Sequence, residues 1–147
     1  MVITNDAANW NSILQKILIG ATKIVNIMKS GSFVIVNCSD GWDRTPQLIC
    51  LTKIILDPFY RTFEGFKVLI DVEWISFGHK FYSRLKMNTA NDSSPIFIQF
   101  LDAVRLIMSQ NEESFEYNDL FLKDLVDAYV DGRFACFIHD SLKDIGK

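Results

Sequence analysis

Phe33-Val34-Ile35-Val36-Asn37-Cys38-Ser39-Asp40-Gly41-Trp42-Asp43-Arg44-Thr45-Pro46 is the stretch on which the reading of this chain turns. Phe33 to Val36 is apolar throughout and mostly β-branched, the pattern of a strand covered on both faces. A helical pattern begins at Pro46, and Leu48 to Leu56 is a short apolar helix stopped by Asp57-Pro58. Between strand and helix lies a tight loop with a cysteine at its start and an arginine six positions later. Backbone N–H groups at such a turn point inward and gather anions.

That loop suits phosphate ester hydrolysis through sulfur. The nucleophile must be a thiolate near neutral pH, whereas a free cysteine titrates near about 8.5. An N–H cradle at a helix N-terminus lowers the Cys38 pKa and binds the phosphoryl oxygens. Gly41 permits the tight curvature or a positive φ. Arg44 offers a two-pronged clamp to the phosphate and its transition state. Thr45 can donate its hydroxyl to Cys38 and ease the departure of sulfur from the thiophosphoryl intermediate. Asp43 or Asp40 supplies the proton the leaving alkoxide needs, then activates water. Two carboxyls beside a dianion favour the protonated form of one of them. An arginine falls at a fixed offset from a cysteine by chance about 6% of the time, so the signal is the whole octapeptide in its context.

The 147 residues are enough for one domain, and 49% apolar content with 22% charge describes a packed globule. A net charge of −3 gives no global field for nucleic acid, so any anion must be caught locally. No run approaches a membrane span, and Met1 to Trp10 lacks the basic start of a signal peptide. Cys38, Cys50 and Cys136 form no disulfide framework, which suits a reducing compartment. Cys50 and Cys136 read as core. No cofactor and no metal are expected.

Helical spacing predicts a helix over Trp10 to Met28, carried by Ile13, Ile17, Ala21, Ile24, Ile27 and Met28, with Asn5 or Asp6 as cap and Ser30-Gly31-Ser32 as stop. A second runs from about Thr62 to Leu85, its inner face formed by Phe63, Phe66, Leu69, Ile70, Trp74, Phe77 and Phe81. Met87 to Ser94 reads as a polar loop. Ser94-Pro95 reads as an N-cap and a first-turn proline, ahead of Phe97, Phe100, Leu101, Val104 and Met108. Asn111 to Ser114 breaks that helix. Asn118 caps the last one, through Tyr129, which Asp131-Gly132 ends. One strand among several helices leaves its backbone groups without partners. The expectation is therefore an α/β fold of which this chain is the mostly helical C-terminal part, with few strands and much of the sheet outside residues 1–147.

Cys38 to Thr45 resembles the active-site signature of the myotubularin family of phosphoinositide phosphatases. The likeness continues through Leu56 to Thr62, Glu64-Gly65-Phe66, Glu73 to Phe81, Ser94 to Phe97 and Phe115 to Asn118. It implies a cysteine-phosphatase fold, similar to that of tyrosine phosphatases, of which residues 1–147 are a partial domain lacking its N-terminal part. It implies removal of the 3-phosphate from phosphatidylinositol 3-phosphate and the 3,5-bisphosphate. On the matching positions, Cys38 is the nucleophile, Arg44 the phosphate clamp and Asp43 the general acid. Asp40 contacts inositol hydroxyls, and Ser39, Gly41 and Trp42 give backbone N–H groups and loop shape. Lys80 and Arg84, four apart on one helix with His79, resemble the place of a second inositol phosphate. His79 reads equally as a core histidine satisfied by a carbonyl or as a functional one. Asp57 and Glu64 are candidate partners of Arg61.

The resemblance also implies inositol-lipid head groups at a membrane surface as partners, homo- or hetero-oligomers with other family members, and a cytoplasmic protein peripheral on endosomal membranes. Asn37 departs from the histidine that usually precedes the cysteine, so a less acidic Cys38 is expected. The alternatives are a weak or inactive scaffold or head-group binder, and a protein tyrosine or dual-specificity phosphatase. Asp40 and Asp43 argue against the latter.

Overall fold

In the computed structural model, residues 3–85 and 94–145 are described, with side chains from residue 9 onward. The expected polar loop at Met87 to Ser94 lies outside them except for Ser94. The helices are α1 (Ile3–Lys29), α2 (Arg44–Leu56), α3 (Phe63–Ile70), α4 (Phe81–Leu85), α5 (Ile96–Met108), α6 (Asp119–Val130), α7 (Ala135–Ile138) and α8 (Leu142–Ile145). A π-helical turn, Asp71–Ser76, continues α3.

Among the described residues there is no strand, which corrects the expectation for Phe33 to Val36. The segment has no pairing neighbour among the described residues, and a strand exists only through its neighbours. One face is covered, not both as expected. Val34 and Val36 face a groove of about 330 Å³ that Ile24, Met28, Ile49 and Leu56 also line, while Phe33 and Ile35 are fully exposed. An unpaired extended segment with one apolar face on helices and the other bare has the form of one strand of a sheet.

The helices bury an aromatic core. Trp74, Phe81, Phe97, Phe100 and Tyr129 are inaccessible to solvent or nearly so. Trp74 meets Phe97 edge-on at 5.0 Å, and Phe81 meets Phe97 at 5.1 Å, the arrangement that ring quadrupoles favour. The Trp10 indole N–H donates to Asp102 at 2.8 Å and ties α1 to α5. Buried Gln47 donates to the Ile96 carbonyl at 2.9 Å and ties α2 to α5. These contacts fix α2, and so fix the C-terminal side of the loop.

Several boundaries differ from expectation. α1 begins before Asn5 and Asp6, which lie inside it. α2 begins at Arg44, a turn earlier than expected. Thr62 to Leu85 is not one helix. Gly78 adopts φ 79°, and the N–H of His79 donates to the Trp74 carbonyl at 2.9 Å, a helix-ending pattern that needs glycine. Phe77 therefore faces solvent rather than the core. Ser94 makes no side-chain cap, and Pro95 occupies the capping position of α5. Asn118 caps α6 as expected, its side chain accepting from the Phe121 N–H at 3.1 Å. Arg61 pairs with neither Asp57 nor Glu64. It donates to the Ile54 and Ile55 carbonyls, at 2.9 Å each, and so closes the end of α2.

Candidate active site

The loop Cys38 to Asp43 is an open turn ahead of α2. Gly41 has φ 84°, which a side chain would strain, as its place in the loop demanded. Its N–H points at the Cys38 sulfur at 3.2 Å. Burial alone would raise the Cys38 thiol, but hydrogen bonding from Thr45 and from the Gly41 and Asp40 backbone outweighs it and lowers the pKa to about 6. The Thr45 hydroxyl is buried without a partner at ordinary hydrogen-bond geometry, so its pull on the sulfur is a loose contact and the Gly41 N–H is the well-formed bond. Asn37 is exposed and does not prevent this acidity: the loop itself keeps Cys38 well below a free thiol.

Arg44 is exposed at the first position of α2, and its Nη2 donates to Ser39 Oγ at 3.2 Å. Ser39 in turn donates to Asp40 at 3.2 Å. Arg44, Ser39 and Asp40 thus form a polar rim on the loop, with the arginine close enough to fold over an anion.

Asp43 is placed differently from a free acid. Its Oδ2 accepts from Arg84 Nη2 at 2.6 Å, and its Oδ1 lies 3.0 Å from His79 Nδ1. Burial would raise its pKa, but the hydrogen bonds from His79 and Arg84 outweigh that and hold the carboxyl below its usual value. Two partners from outside the loop thus stabilise the Asp43 anion.

Only Arg84 of the basic cluster lies within α4. His79 and Lys80 occupy the turn before it, which corrects the single-helix placement. The spacing still works, since the Arg84 N–H donates to the Lys80 carbonyl at 2.9 Å as one helical turn. Both cations lie against the Trp42 ring, Lys80 at 5.0 Å and Arg84 at 4.6 Å from its centre. Trp42 therefore carries two cations beside the loop, an attraction that weighs more as water is excluded. Sequence reasoning left His79 undecided. The readable signal was Phe77-Gly78-His79, a helix-ending glycine that turns the next residue inward.

Cys50 is fully buried in α2, and burial pushes its thiol well above the usual range. Half-buried Cys136 is raised by the same cause. Neither competes with Cys38 as a nucleophile. Among the described residues no helix is long and apolar enough to cross a membrane.

The sequence model of the family described as "Myotubularin-like phosphatase domain" matches residues 3–145. The chain is 44% identical over 138 residues to myotubularin of Rattus norvegicus, covering 90% of this chain and 23% of that protein. It is 43% identical over 140 residues to myotubularin of Xenopus laevis, covering 92% of this chain and 23% of that protein. It thus spans less than a quarter of the length of these relatives. A match over nearly every residue, with the thiol, the arginine and the N–H cradle all within it, shows that the chain belongs to the myotubularin-like phosphatase domain family.

Proposed function

We propose that this chain carries the catalytic loop of a cysteine-dependent phosphatase that removes the 3-phosphate from phosphatidylinositol 3-phosphate and the 3,5-bisphosphate through a cysteinyl-phosphate intermediate. The observation that carries the reading is the Cys38 thiol, held near about 6 under the Gly41 N–H. The Cys38 thiolate attacks phosphorus, and the ester oxygen leaves with a proton. Water then attacks the thiophosphate, freeing inorganic phosphate and restoring the thiolate. Arg44 and the loop N–H groups hold the equatorial oxygens, where charge is largest in the transition state.

Asp43 is the proposed acid and base. Its ion pair with Arg84 suits the second step, in which it takes a proton from water. The first step needs a proton on Asp43, which a substrate phosphate favours by drawing Arg84 away from it. Lys80 and Arg84, both against Trp42, are the proposed seat of the second inositol phosphate. Asp40 on the exposed rim is the proposed contact to ring hydroxyls, with Ser39 and Thr45 supporting the loop. The cysteine-phosphatase fold belongs to the same proposal: Phe33 to Val36 is one strand of a sheet whose other strands lie outside the described residues. A cytoplasmic protein, peripheral on endosomal membranes, and oligomers with other family members are part of the same proposal.

The test is phosphate release from phosphatidylinositol 3-phosphate by the protein that contains this chain. Release that Cys38→Ser abolishes is the expected result, and equal release by both proteins defeats the reading. The bare extended segment favours one alternative, a head-group binder without turnover. In that case Cys38→Ser leaves lipid binding intact and wild type releases no phosphate.

A further inference from the structure

We infer that His79 is a positioning residue for this site: its Nδ1–H holds both the Trp42 carbonyl and the Asp43 carboxylate, and so fixes the acid–base group relative to the Cys38 loop. The inference rests on the phosphatase reading and concerns a residue to which that reading gives no part.

The geometry is specific. His79 Nδ1 lies 3.0 Å from the Trp42 carbonyl oxygen and 3.0 Å from Asp43 Oδ1. Two acceptors at one ring nitrogen require a proton on it, so Nδ1 donates and the tautomer is fixed from the loop side. The ring is packed edge-on against Trp74 at 4.8 Å and Phe81 at 4.7 Å, and it is almost wholly buried. It cannot swing without disturbing the core.

The other nitrogen sharpens the point. Nε2 is buried and has no hydrogen-bond partner, though the ring lines a cavity of about 10 Å³ beside His139 and Asp140. Both Asp140 oxygens are taken up by the Ser83 N–H and hydroxyl. A histidine kept only for core packing leaves a buried nitrogen unsatisfied at a cost that phenylalanine avoids. What phenylalanine cannot supply is the Nδ1 proton facing two loop oxygens. Arg84 also holds Asp43, yet its side chain keeps some solvent contact that the wholly buried His79 ring lacks, so a substrate phosphate can attract it. His79 cannot leave, so Asp43 stays in place when Arg84 turns away.

The test compares His79→Phe, which keeps the ring packing and removes the donor, with His79→Asn, whose amide N–H stands where Nδ1–H stood. kcat/KM is measured on short-chain phosphatidylinositol 3-phosphate and on an aryl phosphate whose leaving group needs no proton. kcat/KM covers only the steps through phosphoenzyme formation, where the acid acts. H79F is expected to lose about tenfold or more on the lipid relative to the aryl ester, within the range of acid–base contributions. H79N is expected to recover part of that ratio. Equal losses on both substrates, or no loss in H79F, overturn the inference.

A measurement without turnover keeps it distinct from the phosphatase reading. Nitrogen-15 NMR of the His79 ring is expected to show the proton on Nδ1. A bare Nδ1 with the proton on Nε2 overturns the inference whether or not the protein is an enzyme. Failure of the phosphatase reading shows instead as phosphate release that Cys38→Ser leaves unchanged.

Discussion

Arg84 Nη2 stands 2.6 Å from Asp43 Oδ2, and the same guanidinium lies over the Trp42 ring. One side chain of α4 thus neutralises a loop carboxylate and covers its neighbour. The loop and α4 are coupled through charge, and Asp43 is an anion in the resting protein. Arg84→Met removes one of the two hydrogen-bond partners that hold the carboxyl down, while keeping the stem. The Asp43 pKa should rise towards the ordinary carboxylate range, read from its side-chain carboxyl carbon in an NMR titration. An unmoved titration would show that His79 alone sets the value. The sign for stability follows. A depressed carboxyl stabilises the fold above the unfolded value and loses that contribution as pH falls through the folded value. In Arg84→Met the acid side of the stability profile should be flatter.

Cys38 gives a second pH prediction. A thiol lowered to about 6 is half thiolate near that pH. Alkylation by iodoacetamide should therefore rise with a midpoint at about pH 6, well below that of an ordinary thiol. The midpoint should survive Asn37→Ala, because Thr45 and the loop N–H groups set it. Cys50 and Cys136 should stay unmodified through the same range, since burial raises both. Mass spectrometry of the three cysteine peptides decides the matter.

Gly65 is predicted to tolerate no side chain. A Cβ built there would lie 1.9 Å from the Phe59 carbonyl oxygen. That contact is with backbone, so relief requires the turn Pro58–Arg61 to move away from α3. Gly65→Ala should destabilise by more than about 3 kcal/mol, among the larger single-residue effects. Thermal unfolding followed by circular dichroism measures it. A change under about 1 kcal/mol would mean that the turn yields easily.

Lys53 and Glu73 form an ion pair at 2.5 Å between α2 and the π-helical turn, with Glu73 largely buried. Burial would lower the Lys53 pKa, but its hydrogen bond to Glu73 outweighs this and raises it. That stabilisation is present below the unfolded lysine value and is lost as pH climbs through the folded one. Lys53→Met leaves Glu73 buried without its cation and should cost about 1–3 kcal/mol, less than a fully buried pair because Lys53 is partly exposed. The double change with Glu73→Gln should recover part of that loss. Denaturant unfolding of these two variants and of Glu73→Gln alone gives the coupling directly.

The legible parts were those set by local chemistry. Asn118 as cap, Gly41 at positive φ and the turn between Asn37 and α2 each follow from a few adjacent residues. The apolar spacing from Phe63 to Phe81 misled because it runs on through a helix end. The π-helical turn shifts the phase and Gly78 stops the helix, so Phe77 points outward although the periodicity assigned it inward. Phe33 to Val36 misled for another reason: pairing is non-local, and composition cannot supply a partner strand. The Asp43–Arg84 and His79 contacts were hidden because they join residues some forty positions apart. Only the register of the turn before α4 brings them together.

The loop is a span with unequal supports. From Gly41 onward it rests on α2, on His79 and on Arg84. Before Cys38 it continues into a segment held by two valines over a groove, with Phe33 and Ile35 bare. Any strand that docks on this segment stiffens the side of the nucleophile that now lacks support. If that stiffening raises the affinity of the loop for an anion, the anion strengthens the docking by the same free energy. Phosphate affinity and sheet assembly are then two readings of one equilibrium.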